Sequence, residues 1–219
     1  MDTMVRPVEE ADVFGKDLGL VHEVVVTGKK AGATRYFYSK LAHNQSLFSR
    51  TIEFVMNGGF EPSTSQKRAR AIMSTNMFGI EEAIKYFGVK PSKRQRTALS
   101  GIPFTGEVLR SCADTHVLVA VFPLSLLYIR AKVKHELFCD HGDAWYNNQA
   151  FAHDKGEIGW QLVRKTPVAD SLAKIWDEQQ ALLDKEESTP TAQVMIYTII
   201  GHYLATGERL FENVYVRCS

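Results

Sequence analysis

Cysteine is scarce in this chain, and its placement excludes more than its number. Three cysteines, Cys112, Cys139 and Cys218, are spread over 219 residues with no C-x-x-C pair. An odd, dispersed set builds no disulfide framework and points to a reducing compartment, so the expected location is cytoplasmic. Long apolar runs are also missing. The most apolar window, residues 117–129, is thirteen residues long and is interrupted by Pro123. A membrane-spanning helix needs roughly 20 apolar residues, so this window reads as core and no membrane partner is expected. The first fifteen residues, MDTMVRPVEEADVFG, carry early acids and no apolar stretch, unlike a secretory signal. Net charge is only +1, so no global field selects nucleic acid or membrane.

Several catalytic signatures are absent as well. There is no G-x-S-x-G, no H-E-x-x-H and no G-x-G-x-x-G. The loop GKKAGAT at 28–34 has glycines and lysines, but not in the order of a phosphate-binding loop. No cofactor is implied.

What is present is a chain of ordinary globular composition, 45% hydrophobic and 23% charged, long enough for one large domain or two small ones. The expected class is α+β: an N-terminal β-hairpin, a basic helical region, then a mixed α/β core with a C-terminal strand. The corresponding segments are 1–60, 61–111 and 112–219, within what could be a single domain. LVHEVVVT and TRYFYS, flanking GKKAGA, predict the hairpin over 20–39. A helix follows over about 46–56, ended by Gly58 and Gly59. THVLVAVF and WQLVRKTPV predict two strands, and Arg164 and Lys165 should point to opposite faces, so one of them faces inward and a buried Arg164 would require a partner such as Glu178 or Glu208. SLAKIWDEQQALL predicts a helix capped by Ser171, with Leu172, Ile175, Trp176, Gln179 and Leu183 in a stripe. TPTAQVMIYTIIGHYLATG predicts a central core helix with Thr189 as cap, Pro190 in its first turn and Gly207 as its stop. VYVRCS has strand chemistry with no turn or partner after it, so it is expected either to pair with an earlier strand or to be followed by a further strand after Ser219, the second being favoured.

The segment 61–96 has the most distinctive charge. Eight Lys/Arg stand against three acids there, a local +5 that leaves −4 for the rest of the chain. Ala69, Ile72 and Met73 share a helical face opposite Lys67 and Arg70, and Ile80, Ala83, Ile84 and Phe87 have amphipathic spacing ahead of Gly88. A third short helix is expected after Pro91. EEAIKYFGVKPSKRQR therefore has the shape of a helix-turn-helix whose second helix offers Lys93, Arg94 and Arg96, with Lys67 and Arg70 upstream, to nucleic-acid phosphates. It departs from that pattern in two places. Ile84 stands where a small residue is expected, and Arg94 where an apolar anchor is expected. A solvated basic lobe, or docking to an acidic protein surface, accounts for the same residues.

The stretch HELFCDHGD, 135–143, raises a metal-dependent alternative. His135, Cys139 and His141, with Asp143, His116 or His153 as a fourth donor, are the residue types a transition metal takes. The spacing conflicts, however. His135 and Cys139 share a face on a helix, whereas Cys139 and His141 share one on a strand. A polar connector, with Leu137 and Phe138 buried, is the simpler account. Asp114 and His116 could orient an imidazole as a general base, but nothing in the sequence brings them to a partner.

The stretches WQLVRKTPVADS, IWDEQQALL, TPTAQVMIYTIIGHYLATGERLF, NVYVRCS, FGIEEAIKYFGV and THVLVAVFPLSLLYIR resemble a group of conserved bacterial proteins. The resemblance covers about 60–219 and implies continuation beyond Ser219 into a turn-rich β segment. It implies no activity, cofactor or catalytic residue, and the 135–143 cluster is not part of its pattern. The leading functional expectation is thus non-enzymatic: nucleic-acid association through Lys67, Arg70, Lys93, Arg94 and Arg96. The alternatives are a metal-dependent hydrolase centred on 135–143 and a partner-binding scaffold.

Overall fold

Hydrophobic spacing along 20–28 decides the first element. Leu20, Val21, Val24 and Val25 recur at i, i+1, i+4 and i+5, a helical rather than a strand period. In the computed structural model, which describes residues 17–133, 137–138 and 144–219, the expected hairpin is replaced by two helices, α1 (Asp17–Lys30) and α2 (Arg35–Ala42). The β-propensity of the valines is a weak preference that the spacing overrides. Gly28 lies inside α1 and serves close approach: a Cβ there would strike the Tyr38 hydroxyl, which donates to the Val25 carbonyl at 3.0 Å. The helix expected over about 46–56 forms as α3 (Gln45–Met56). These helices make one compact unit, which ends at Met56; Asn57–Ser219 make a second.

The second unit is a mixed α+β fold, mostly helical, around a three-stranded sheet. Its elements are α4 (Thr64–Met73), β1 (Met77–Phe78), α5 (Ile80–Phe87), α6 (Lys93–Ala98), α7 (Gly106–Cys112), β2 (His116–Val121), α8 (Leu126–Lys132), α9 (Ala150–His153), β3 (Gly159–Arg164), α10 (Trp176–Gln180) and α11 (Ala192–Thr206). The sheet order is β1-β2-β3, with β1 parallel and β3 antiparallel to β2. Central β2 is covered on both faces, so Val117–Val121 are all fully buried, as a continuous apolar run requires. α11 is apolar nearly all round because it too lies inside, burying Val194, Met195, Tyr197, Ile200 and His202. None of the described helices is long and apolar enough to cross a membrane.

Local signals set the helix ends. Ser63 and Ser92 each follow a proline and each accept from the amide of a glutamine three residues on, Gln66 and Gln95, whose side chains bond back to the serine amides. Gly88 and Gly207 take the left-handed conformation expected of C-caps. Thr191, not Thr189, caps α11; Thr189 instead accepts from Gln180.

Two other expectations fail. The thirteen-residue helix expected from Ser171 shrinks to α10. Asp170 and Ala173 have positive φ, which a right-handed helix cannot continue through, so the helix begins only after Ile175. The C-terminal strand is also absent. Residues 214–219 alternate as a strand would, with Val216 and Cys218 against the core and Tyr215 outward, but the Ser219 amide bonds only to the Pro190 carbonyl. One-sided packing wrote that alternation, without ladder pairing.

Candidate nucleic-acid interface

The basic segment folds as α4, α5 and α6, and its cations fall into two groups. Arg70 is structural. Its guanidinium donates to the Met77 carbonyl at 2.7 Å and to Glu82 at 2.7 Å, with Glu81 at 3.6 Å, and Glu82 also accepts from the Gly79 amide at the start of α5. It ties α4 to β1 and α5.

Lys93, Arg94 and Arg96 are exposed on α6, and none of them forms an ion pair with a described residue. Lys67 is exposed and pairs with Glu61 at 3.4 Å, a contact of little energetic weight. The end of α6 is stapled to the start of α4: Gln66 donates to the Leu99 carbonyl at 2.8 Å, Ser63 to the Ser100 carbonyl at 2.6 Å. Between them lies a groove of about 280 Å³ whose walls include Lys93, Arg96, Thr97 and Glu61. Arg96 reaches across it toward the Gly59 carbonyl at 3.5 Å. The five residues 88–92 join α5 to α6, and Val89 is buried in that turn. α6 has only six residues and buries none of them. It presents charge on a surface, without the packed apolar face of a recognition helix.

His135, Cys139, His141 and Asp143 lie outside the described residues. Leu137 and Phe138 between them are half-buried against the core. Among the described residues no group of three or more His, Cys, Asp or Glu could hold a metal ion. His153 bonds the Asn147 carbonyl at 2.9 Å, and His116 bonds the Thr115 hydroxyl at 2.8 Å, with no bond to Asp114.

Sequence reasoning missed a polar network at the end of α11. Buried His202 meets Glu208 at 2.9 Å, and Glu208 also binds Lys165 at 2.7 Å. Lys165 donates to Asn76 at 3.2 Å, and Asn76 to the Ala113 carbonyl at 2.8 Å. Glu208 is thus the expected acid partner, but of Lys165; Arg164 pairs with Glu187, its Nε at 3.0 Å. The only signal for the network was the i, i+6 pairing of His202 and Glu208 across a helix stop, which no motif flags.

This network and His116 make stability pH-dependent. Hydrogen bonds from Lys165 and then His202 hold the Glu208 carboxyl below its ordinary range. Burial, then the neighbouring Arg164, lowers His116 below 6.5. A lowered histidine favours the neutral form, so its contribution is present above 6.5 and is lost as pH falls through the folded value. The Glu208 contribution is likewise lost in acid, further down. The melting temperature should therefore fall from pH 7 to about 5, and His116→Gln should flatten that part of the profile. Equal slopes for both proteins would remove His116 from the account.

No family model, curated protein or solved structure matches the chain.

Proposed function

We propose that the protein binds nucleic acid through its phosphate backbone, using Lys93, Arg94 and Arg96 with Lys67 at the rim. One observation carries this reading: three exposed cations, none paired with an acid among the described residues, sit within four positions of one short helix, beside an open groove. Arg70 is left out of it, since its guanidinium is held by the Met77 carbonyl and the Glu82 carboxylate. No matching protein supplies an activity to transfer, so the reading rests on this surface alone. Six helical residues span about 9 Å, too little to follow a major groove, so phosphate contact without base reading is expected.

Three phosphate contacts predict a slope of about −3 for log K against log salt on duplex DNA, and about −2 on single strands. Anisotropy titrations of labelled duplex and single-stranded oligonucleotides over a salt series test this. No binding at low salt, or a slope near zero, would overturn it.

A further inference from the structure

Among the described strands, β3 has a neighbour on one side only, central β2. Hydrogen-bonded and non-bonded positions alternate along each strand of an antiparallel pair. The Lys165 amide donates to the Thr115 carbonyl at 2.9 Å, which fixes that alternation. Gly159, Gln161 and Val163 therefore bond to β2, whereas the main-chain groups of Trp160, Leu162 and Arg164 point away from it. The same parity turns Leu118 and Ala120 of β2 to the opposite side. There Leu118 pairs with Met77 of β1, and the Ala120 carbonyl accepts from Tyr197. No main-chain N–H or C=O of Trp160, Leu162 or Arg164 bonds to a described residue.

Main-chain groups without a protein partner must meet water or another chain. A row of them at every second residue is a template for a further strand. Edge strands that stay alone are usually blunted by proline, lysine, a bulge or a covering element. β3, GWQLVR, holds no proline or lysine, and its register with β2 runs unbroken from Gly159 to Arg164. Among the described elements, β2 alone makes broad contact with it. The row also selects its neighbour. An antiparallel strand must offer outward groups at the same two-residue interval, and β3 of a second copy does so unchanged. With a two-fold axis at Leu162, Leu162 faces Leu162 of the second copy, and Trp160 faces Arg164 in both directions. Every outward group then has a partner. Moving the axis by one residue either way sets Trp160 or Arg164 opposite a residue beyond the strand. The Leu162 register also lays a guanidinium beside an indole and opposes no like charges.

We infer that two copies of the protein join through β3, edge to edge and antiparallel about Leu162, into one continuous sheet. This inference is independent of nucleic-acid binding, and its test contains no nucleic acid. By sedimentation, the mass of the full chain should rise toward about twice 24.7 kDa across the micromolar range. Leu162→Lys and Leu162→Glu each set like charges face to face on the axis, so each alone should keep the monomer mass. An equal mixture of the two, both with wild-type circular dichroism, should recover the dimer, which a merely structural role for Leu162 would not give. In the wild-type protein, hydrogen exchange at the Trp160, Leu162 and Arg164 amides should slow as concentration rises, while Gln161 and Val163 stay constant. A wild-type monomer at every concentration, a dimer of either single variant, a monomeric mixture of folded variants, or concentration-independent exchange at 160, 162 and 164 would each overturn the inference.

Discussion

Phe78→Ala should destabilise the 57–219 unit by about 3–5 kcal/mol, the range for emptying a buried aromatic site. Phe78 is where three elements meet. It stands on β1, its ring lies 5.5 Å from Phe87 of α5, and it meets Tyr197 of α11 edge-on at 5.7 Å. Phe87 and Tyr197 close the triangle at 4.8 Å. α11 comes so close that a Cβ at Gly201 would lie 2.9 Å from the Phe78 ring. Relaxation is restricted because Tyr197 is pinned: its hydroxyl donates to the Ala120 carbonyl in β2 at 3.0 Å. Burial pushes that phenol well above its usual range, so it stays neutral and remains a donor. In a domain of this size such a loss lowers the melting temperature by roughly 10 °C. Tyr197→Phe keeps the ring and removes one neutral hydrogen bond, so about 1 kcal/mol is expected. Denaturant titrations monitored by the fluorescence of Trp145, Trp160 and Trp176, all of which lie in 57–219, compare the two. A Phe78→Ala cost below about 1 kcal/mol would show that the rings do not hold β1 to the helices.

How much of this was legible beforehand depends on whether the signal was local. The strand over 116–121, the amphipathic spacing of Ile80, Ala83 and Phe87, and Gly88 and Gly207 as helix stops are written within a few residues, and each appears in the fold. The expected helix from Ser171 fails because the backbone turns left-handed at Asp170 and Ala173, which a right-handed helix cannot continue through, and apolar spacing carries no signal for such a turn. The strand reading of VYVRCS fails similarly, because alternation records which side faces the core and cannot say whether a ladder partner exists. The hairpin reading of 20–39 weighed β-branched composition above the i, i+4 spacing of Leu20, Val21, Val24 and Val25. At the candidate site, composition identified the basic segment but could not sort its cations. Lys67 and Arg70 look equivalent in TSQKRARAIM, yet one is on the surface and the other is held between Met77 and Glu82.

That sorting gives the sharpest test of function. Replacing Lys93, Arg94 and Arg96 together by glutamate should abolish salt-sensitive nucleic-acid binding without harming the fold. Each phosphate-contacting cation contributes about one unit of salt slope, so losing three takes a slope of about −3 to near zero. The wild-type protein should lose about 40-fold in affinity between about 50 and 200 mM salt, and the triple variant should show no such dependence. Stability should change by no more than about 0.5 kcal/mol, because α6 buries none of its residues and these cations form no ion pair with a described residue. Arg70→Gln should behave in the opposite way. It leaves Glu82 and the Met77 carbonyl without their cation, so stability falls while the salt slope of the folded protein stays at its wild-type value. A triple variant that binds as tightly and with the same slope would move the interface away from α6. A slope lost with Arg70→Gln, in protein shown to be folded, would reverse the division between structural and exposed cations on which the proposal rests.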